Sequence, residues 1–433
     1  MKQKRVIFLL TICLVTFSLM FAQHAFAAGL YLSQLNSPVS LGTAGVNNVI
    51  NNLSADAAYT NPAGMTGIER DTVMPGFQLL IPQVTFDASI AEAGGDDGTN
   101  VGAIALIPGF NAVKVLSDKW RLGLAVTAPL GGGVDYGDNF VGRYQATRSF
   151  LAGLGISPSL GYKINDKVSV GLGVSAIYTN MDLDIAINRN ALAPGPGSLL
   201  DGKISIDKID DWSAQGFAGI TWQVTDKAMI GFVYRTKSEI DLEGDLAING
   251  APLINQITGS PDTVKVSFDV VPLYAVGLAY DVSDNLRIIA DFDYEEWSEF
   301  SDNYISVNIA SNSLTTALDR NWQDTWHAGV GVIYKTDVSI TPGPVSYISA
   351  GVAYDSSPVE DEDRTFDLPA DEQLKVGTSY SRIVNDNLGW GLGFSYVWLG
   401  EGKIDQTAQG VRVQGEFVTN YFVSFGGNVR YLF

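Results

Sequence analysis

From Thr72 onward the chain alternates apolar residues with small or polar ones. Val168, Val170, Leu172, Val174, Ala176 and Tyr178 are interleaved with Ser169, Gly171, Gly173 and Ser175. Leu388, Trp390, Leu392, Phe394, Tyr396 and Trp398 are interleaved with Gly389, Gly391, Gly393 and Ser395. Leu286, Ile288, Ala290, Phe292 and Tyr294 oppose Arg287, Asp291, Asp293 and Glu295, while Trp322, Trp326, Ala328, Val330, Val332 and Tyr334 oppose Gln323, Thr325, His327, Gly329 and Gly331. In the last twenty residues, Gln414–Phe433, one parity holds Phe417, Thr419, Tyr421, Val423, Phe425, Val429, Tyr431 and Phe433. A two-residue period places each set on one face of a strand. These strands exceed the ~5–6 residues usual in globular proteins and suit the ~9–11 tilted residues that cross a bilayer. Aromatic residues collect near their ends, as in interfacial girdles.

The breaks count the strands. Tight polar turns fall at Ser117-Asp118-Lys119, Asn165-Asp166-Lys167, Thr225-Asp226-Lys227, Ser283-Asp284-Asn285 and Asn385-Asp386-Asn387, with a looser one at Thr336–Pro344. Asp and Asn accept the sharp geometry such turns need. Longer acidic or Gly-rich loops occupy Ala91–Asn100, Tyr136–Thr147, Arg189–Asp201, Asn249–Asp262, Glu299–Asn321, Ser356–Asp371 and Gly402–Arg412. Six turns and seven loops make fourteen strands with both ends on the short-turn side. This predicts an all-β, fourteen-stranded antiparallel transmembrane barrel over residues 72–433. Its last strand closes on Thr72–Ile90, its short turns face the periplasm and its loops face outward.

Residues 1–27 read as a secretory signal: Lys2, Lys4 and Arg5, an apolar run from Val6 to Phe21, then Ala25-Phe26-Ala27. Residues 28–71 do not alternate. Their Gly, Ala, Ser and Asn content suits a segment packed inside the barrel, with short helical turns near Pro38–Gly45 and Ala55–Tyr59. Without Lys2, Lys4 and Arg5 the formal charge deepens from −20 to −23, which repels nucleic acid. The one cysteine, Cys13, and one of the two histidines, His24, lie in the signal. His327 is then the mature chain's one histidine, so Cys/His zinc sites and histidine-dependent hydrolysis are disfavoured; neither catalytic residues, metal nor cofactor are expected. Asp291, Asp293 and Glu295 share the inward face, and Glu360–Asp363 is an acidic loop; solvated or Arg-paired carboxylates are the default reading over calcium. The Gly-Leu-Gly repeats at 171–173 and 391–393 lie mid-strand with no helix after them, so they are not a nucleotide site.

Several motifs together resemble the FadL/OmpP1/TodX outer-membrane transport family. They are Ala28-Gly29, Leu41-Gly42-Thr43-Ala44-Gly45, Asp56-Ala57-Ala58 and Asn61-Pro62-Ala63-Gly64-Met65, then Val141-Gly142-Arg143-Tyr144, Ser157-Pro158-Ser159, Tyr294–Phe300 and Ala353–Val359. The resemblance implies a fourteen-stranded barrel plugged by an N-terminal hatch that passes long-chain fatty acids or other hydrophobic compounds. It implies gating by the hatch (Ala28, Gly29, Leu30, Asn61, Pro62, Ala63) and a lateral exit at a kink in the third strand. Here Pro129, Gly131, Gly132 and Gly133 interrupt that strand, and pairing is expected to fail around them. Positions matching the basic lumen residues of fatty-acid transporters are Asn180 and Gln323. Their neutrality favours an uncharged hydrocarbon or aromatic substrate, although Arg121, Arg235, Lys265, Arg287 or Lys375 could supply the cation instead, and His327 is expected as a lumen hydrogen-bonding group. Tyr431 and Phe433 resemble the terminal signal read by the barrel-assembly machinery. The expected partners are a hydrophobic or lipid substrate, lipopolysaccharide and other outer-membrane lipid, and that machinery, around a monomer in the outer membrane. A general porin and an outer-membrane lipase are the rival readings; an apolar plug opposes the first, and dependence on His327 alone opposes the second.

Overall fold

The computed structural model describes residues 37–188, 201–250, 263–309, 312–337 and 345–433. The signal segment, Ala28, Gly29 and Leu30 lie outside these, as do most of the predicted loops at Arg189–Asp201 and Asn249–Asp262 and of the turn at Thr336–Pro344. The first half of the wall is β1 (Thr72–Ala91), β2 (Ala105–Val115), β3 (Trp120–Asp135), β4 (Arg148–Lys163), β5 (Val168–Ile187) and β6 (Gly202–Gln223). Then come β7 (Ala228–Arg235), continued by β8 (Ser238–Asn249), and β9 (Thr263–Val270), running into β10 (Leu273–Ser283). β11 (Leu286–Glu295) is continued by β12 (Asp302–Ile309), and β13 (Asn312–Asp319) leads to β14 (Thr325–Thr336). β15 (Val345–Asp355), β16 (Gln373–Ile383), β17 (Leu388–Trp398), the short β18 (Ile404–Ala408) and β19 (Val411–Leu432) complete the sheet.

Among the described residues these nineteen segments form one antiparallel sheet. β8, β9, β12, β13 and β18 are outward extensions, so the wall has fourteen staves. β19 closes it on β1, from Thr72↔Leu432 to Ala91↔Val413. Large apolar side chains such as Leu172, Val174, Trp222, Phe232 and Leu278 stand exposed on the outside, as a lipid-facing wall requires.

Two stretches depart from the simple strand-and-loop reading. Glu299–Asn321 is not a plain loop, since it carries the β12–β13 hairpin. Trp322, placed by parity on the outer face, is instead buried against Phe300 and Trp297. The reason is local: the chain leaves strand conformation between Asp319 and Thr325, so the two-residue period carried back from Trp326 does not hold.

Residues 37–68 pack against the inner face of the wall, and residues 69–71 lie at the rim. α1 (Pro38–Gly42) starts on Ser37, whose side chain accepts from Ser40 N at 3.1 Å, with Pro38 in the first turn. α2 (Ala57–Thr60) follows, and Asn61 then caps a 3₁₀ turn, Pro62–Gly67, by accepting from Ala63 N at 3.1 Å. The segment fits because the facing wall lacks side chains. Gly161, Gly171 and Gly219 are register partners across β4, β5 and β6. A Cβ on Gly219 would lie 2.0 Å from Asn61 Oδ1, and one on Gly171 2.4 Å from the Pro62 carbonyl carbon. Across the lumen, Gly351 and Gly377 pair and face Thr43 and Leu41, where a Cβ on Gly377 would be 2.0 Å from Leu41 O. Gly391 and Gly393 meet Pro38 in the same way. Gly377→Val, combined with Gly171→Val, should therefore unseat the plug, and planar-bilayer recording should show large steady conductance steps absent from the parent protein.

At the outer end, the long loops fold into a core of their own. Phe86, Phe140, Phe366 and Phe417 are buried there, and Tyr136 stacks on Phe140 with ring centres 4.1 Å apart. Phe366 meets Phe86 and Phe140 edge to face, and Tyr136 donates to Phe366 O at 3.1 Å.

Candidate functional site

Between the plug and this outer cap lies a cavity of about 100 Å³. Val49 and Tyr59 of the plug form part of its lining, with Pro129 of β3, Arg235 of β7 and a row of charged side chains on β11, β14, β15 and β16. The row follows from register. Asp293 lies opposite His327, His327 opposite Asp355, and Lys375 opposite Ala353, two residues along β15 from Asp355. His327 Nδ1 is hydrogen-bonded to Asp355, whose second oxygen is ion-paired with Lys375. His327 Nε2 lies 3.4 Å from Asp291 Oδ1. One ligand atom from each of Asp291, Asp293 and His327 lies within 4.8 Å of the others, so these three could hold a metal ion.

Arg235 is buried. Its guanidinium lies 4.0 Å from the Tyr59 ring centre and 5.0 Å from that of Phe217, and Nη2 donates to Tyr59 O at 2.6 Å. Nη1 has no hydrogen-bond partner. Arg235 thus holds the plug, and its Nη1 is buried beside the cavity with its hydrogens unpaired.

The wall is incomplete beside Pro129. The β2–β3 ladder ends at Phe110↔Val126, although β3 runs on to Asp135. β1 pairs β2 as far as Leu80↔Ala105. On the other edge of β3, Thr127 pairs Gly155 and Leu130 pairs Gly153. Three steps on β3 thus match two on β4, which is a one-residue bulge at Ala128-Pro129. The extra residue inverts parity, so Leu130 turns inward against Ile177 and Gly153. The opposite edge is rejoined by the isolated Gly102↔Val134 bridge and by Asp135 N donating to Val101 O at 2.9 Å. A hollow of about 290 Å³ lies along this gap, lined by Ile104, Gly133, Val134 and Phe150 among others. The expectation that pairing fails over the glycine triplet needs correcting: Gly131, Gly132 and Gly133 pair Ala152, Leu151 and Phe150 of β4. The ladder is lost on the β2 side instead, because the proline and bulge steer β3 away from that neighbour.

The other predicted residues divide. Asn61 donates to Val49 O at 2.6 Å within the plug and to Ile220 O on β6 at 3.4 Å, and Pro62 and Ala63 continue the turn it caps. His327 does face the lumen. Asn180 does not: it follows Tyr178 by two residues, and the Tyr178 ring packs at a tilt against the exposed Trp212 on the outer surface. Gln323 is likewise outside the lumen, exposed in the irregular stretch before β14 and donating to Ser357 O at 3.3 Å. Their neutrality therefore says nothing about the substrate's head group. Tyr431 and Phe433 lie at the short-turn rim with ring centres 4.9 Å apart. Sequence reasoning missed the role of Asp355. Its parity with Ala353 in β15 was the available signal, but nothing in the sequence shows that it meets His327.

A family model described as "Outer membrane protein transport protein (OMPP1/FadL/TodX)" matches residues 18–433. The long-chain fatty acid transport protein of Salmonella typhi is 24% identical over 427 residues, covering 93% of this chain and 95% of the relative. Outer membrane protein P1 of Haemophilus influenzae is 22% identical over 434 residues, covering 89% of each. Among solved structures, a Pseudomonas aeruginosa FadL homologue superposes with a TM-score of 0.82 at 21% identity, covering 94% of this chain and all of that one. The P. putida toluene transporter TodX superposes with a TM-score of 0.71 at 16% identity, covering 93% and 99%.

Proposed function

Because the chain belongs to the OMPP1/FadL/TodX family of outer-membrane transport proteins, we propose that it carries hydrophobic compounds from the outer surface into the cavity above the plug and releases them sideways through the β2–β3 gap. The observation that carries this reading is Pro129, which lines the cavity and forms the bulge where the wall loses its ladder. An apolar solute gains nothing from an open aqueous pore, but it gains from a dry pocket that opens toward lipid. Leu80, Ala105, Ile107 and Phe422 form an apolar inner surface next to the gap, with Ala128 packed against it. The plug blocks the direct route. Its displacement from Asn61 and the glycine girdle is the gating step we assign to it, with Ala28–Leu30 as its leading end.

The test is to close the gap. Cysteines introduced at Ile107 and Ala128 can be oxidised in a chain whose one native cysteine, Cys13, falls in the predicted signal. Uptake of oleate and toluene should fall when the disulfide forms and recover on reduction; unchanged uptake in the fully oxidised protein would end the lateral route.

The substrate class we favour is the long-chain fatty acid, because Arg235 is a buried cation with an unpartnered Nη1 beside the cavity. Arg235→Met should lower oleate uptake roughly tenfold relative to toluene, on the scale of one lost charge-assisted hydrogen bond. Equal loss for both would mean that Arg235 only positions the plug.

A further inference from the structure

We propose that the lumen row binds one divalent transition-metal ion of the zinc class through Asp291, Asp293 and His327. The three side chains converge from the paired strands β11 and β14, with one ligand atom from each within 4.8 Å of the others. Asp291 Oδ1 and His327 Nε2 are 3.4 Å apart, within ion-pair distance of a protonated imidazole but without a well-formed hydrogen bond. Two ligands at ~2.0–2.1 Å from a tetrahedral zinc ion lie ~3.3–3.4 Å from each other. That spacing is long for a hydrogen bond and right for two ligands of one ion.

The histidine is already oriented for this role. Its Nδ1 is engaged by Asp355, and Asp355 is held by Lys375. A ligating imidazole characteristically gives its other nitrogen to a carboxylate, which fixes the tautomer and leaves the Nε2 lone pair for the metal. In that tautomer, Nε2 and Asp291 Oδ1 would face each other as two acceptors unless a cation lay between them.

Charge points the same way. Asp291 Oδ1 and Asp293 Oδ1 are both buried with no hydrogen-bond donor, and Asp291 is only 8% exposed. Glu295 accepts from Trp297 Nε1. With His327 neutral, the carboxylates of Asp291, Asp293, Glu295 and Asp355 against the two cations of the cavity, Lys375 and Arg235, leave two uncompensated negative charges. Buried carboxylates in that condition are strongly disfavoured, and one divalent ion neutralises the group. Imidazole beside carboxylate selects zinc-like ions over calcium or magnesium, which prefer oxygen alone. Three protein ligands leave a fourth position for water or a passing ligand group. The site lies near the plug: a Cβ on Gly329 would meet both Asp291 Oδ1 at 2.7 Å and Val46 at 2.4 Å.

The experiment uses the full-length barrel in detergent, stripped with EDTA and titrated with Zn²⁺ by calorimetry and with Co²⁺ by visible absorption. One ion per barrel is expected, with the intense d–d bands of a four-coordinate Co²⁺ site. His327→Gln and Asp291→Asn should abolish both signals. Asp355→Asn should weaken binding about 10–100-fold, as loss of an outer-shell carboxylate does. Neutralising the acidic outer loop with Glu360→Gln and Asp363→Asn should change neither signal. Heat-modifiable electrophoretic mobility will show that each variant is folded; should Asp291→Asn fail to fold, Asp293→Asn takes its place. Weak multi-site binding that survives His327→Gln, or a pale six-coordinate Co²⁺ spectrum, overturns the proposal. None of these readouts uses transport, so failure here leaves the lateral route standing and the reverse also holds.

Discussion

Arg364→Met is expected to detach the outer cap while leaving the barrel wall folded. Arg364 is 1% exposed and is the centre of the loop between β15 and β16. Its Nε donates to Ala370 O at 2.7 Å, and Nη1 to Asp361 Oδ1 and Lys403 O, each at 2.6 Å. Nη2 donates to Val359 O at 3.2 Å and pairs with Asp371 Oδ1 at 3.0 Å. Methionine keeps much of the volume but leaves the partly buried Asp371 without its cation, a loss on the order of 3–5 kcal/mol. The loop that carries Arg364 has no strand of its own to absorb that loss, whereas the wall is held by continuous strand pairing. Limited proteolysis should therefore cut the variant between residues 356 and 371, and amide exchange should quicken there but not in β15 or β16. Uniform destabilisation of the whole barrel would contradict this division. Since Asp371 also lines the cavity, the opened cap should admit polar solutes to it.

The same cap carries an acid limit. Asp367 is buried, which raises its carboxyl, but Arg320 Nη2 at 2.6 Å outweighs burial and holds it below the usual carboxylate range. A carboxyl whose folded value is depressed stabilises the fold above its unfolded value, near pH ~4, and loses that contribution as pH falls through the folded value. Protection of the cap amides, corrected for intrinsic exchange, should thus be alike at pH 5 and pH 7 and fall below about pH 4; Asp367→Asn should remove that dependence.

Deleting Phe433 should sharply reduce the amount of barrel in the outer membrane with little change in the stability of what does assemble. Phe433 is 48% exposed at the rim, where its N–H donates to Asp71 O at 2.9 Å and its carbonyl accepts from Arg70 Nε at 3.3 Å. Those exposed contacts are worth about 1 kcal/mol, far less than the closure of β19 on β1 from Thr72↔Leu432 to Ala91↔Val413. A large loss in cells paired with near-normal refolding into detergent would place the residue's role in recognition during assembly. Parallel losses in both would place it in the fold.

The resemblance and the strand pattern together made most of the architecture legible. A two-residue period tells which side chains face lipid, and turn chemistry tells where strands reverse, so fourteen strands and the β1–β19 seam follow from the sequence. Short helical turns near Pro38 and Ala57 were readable because Ser37, Pro38 and Asn61 act on their nearest neighbours. Parity also put Asp291, Asp293 and His327 inside.

Tertiary structure decided what local rules cannot reach. Parity is silent on register between strands remote in sequence, so the meeting of His327 with Asp355 and Lys375 had no sequence signal. One inserted residue at Ala128-Pro129 inverts every face beyond it, and only the ladders show that β3 keeps β4 and loses β2. Trp322 and Gln323 were misplaced for the same reason, because a period carried across an irregular stretch loses its phase. The glycines show both halves of the lesson. Composition announced them, but only the packed plug shows that Gly171, Gly219 and Gly377 are bare because another backbone lies against them.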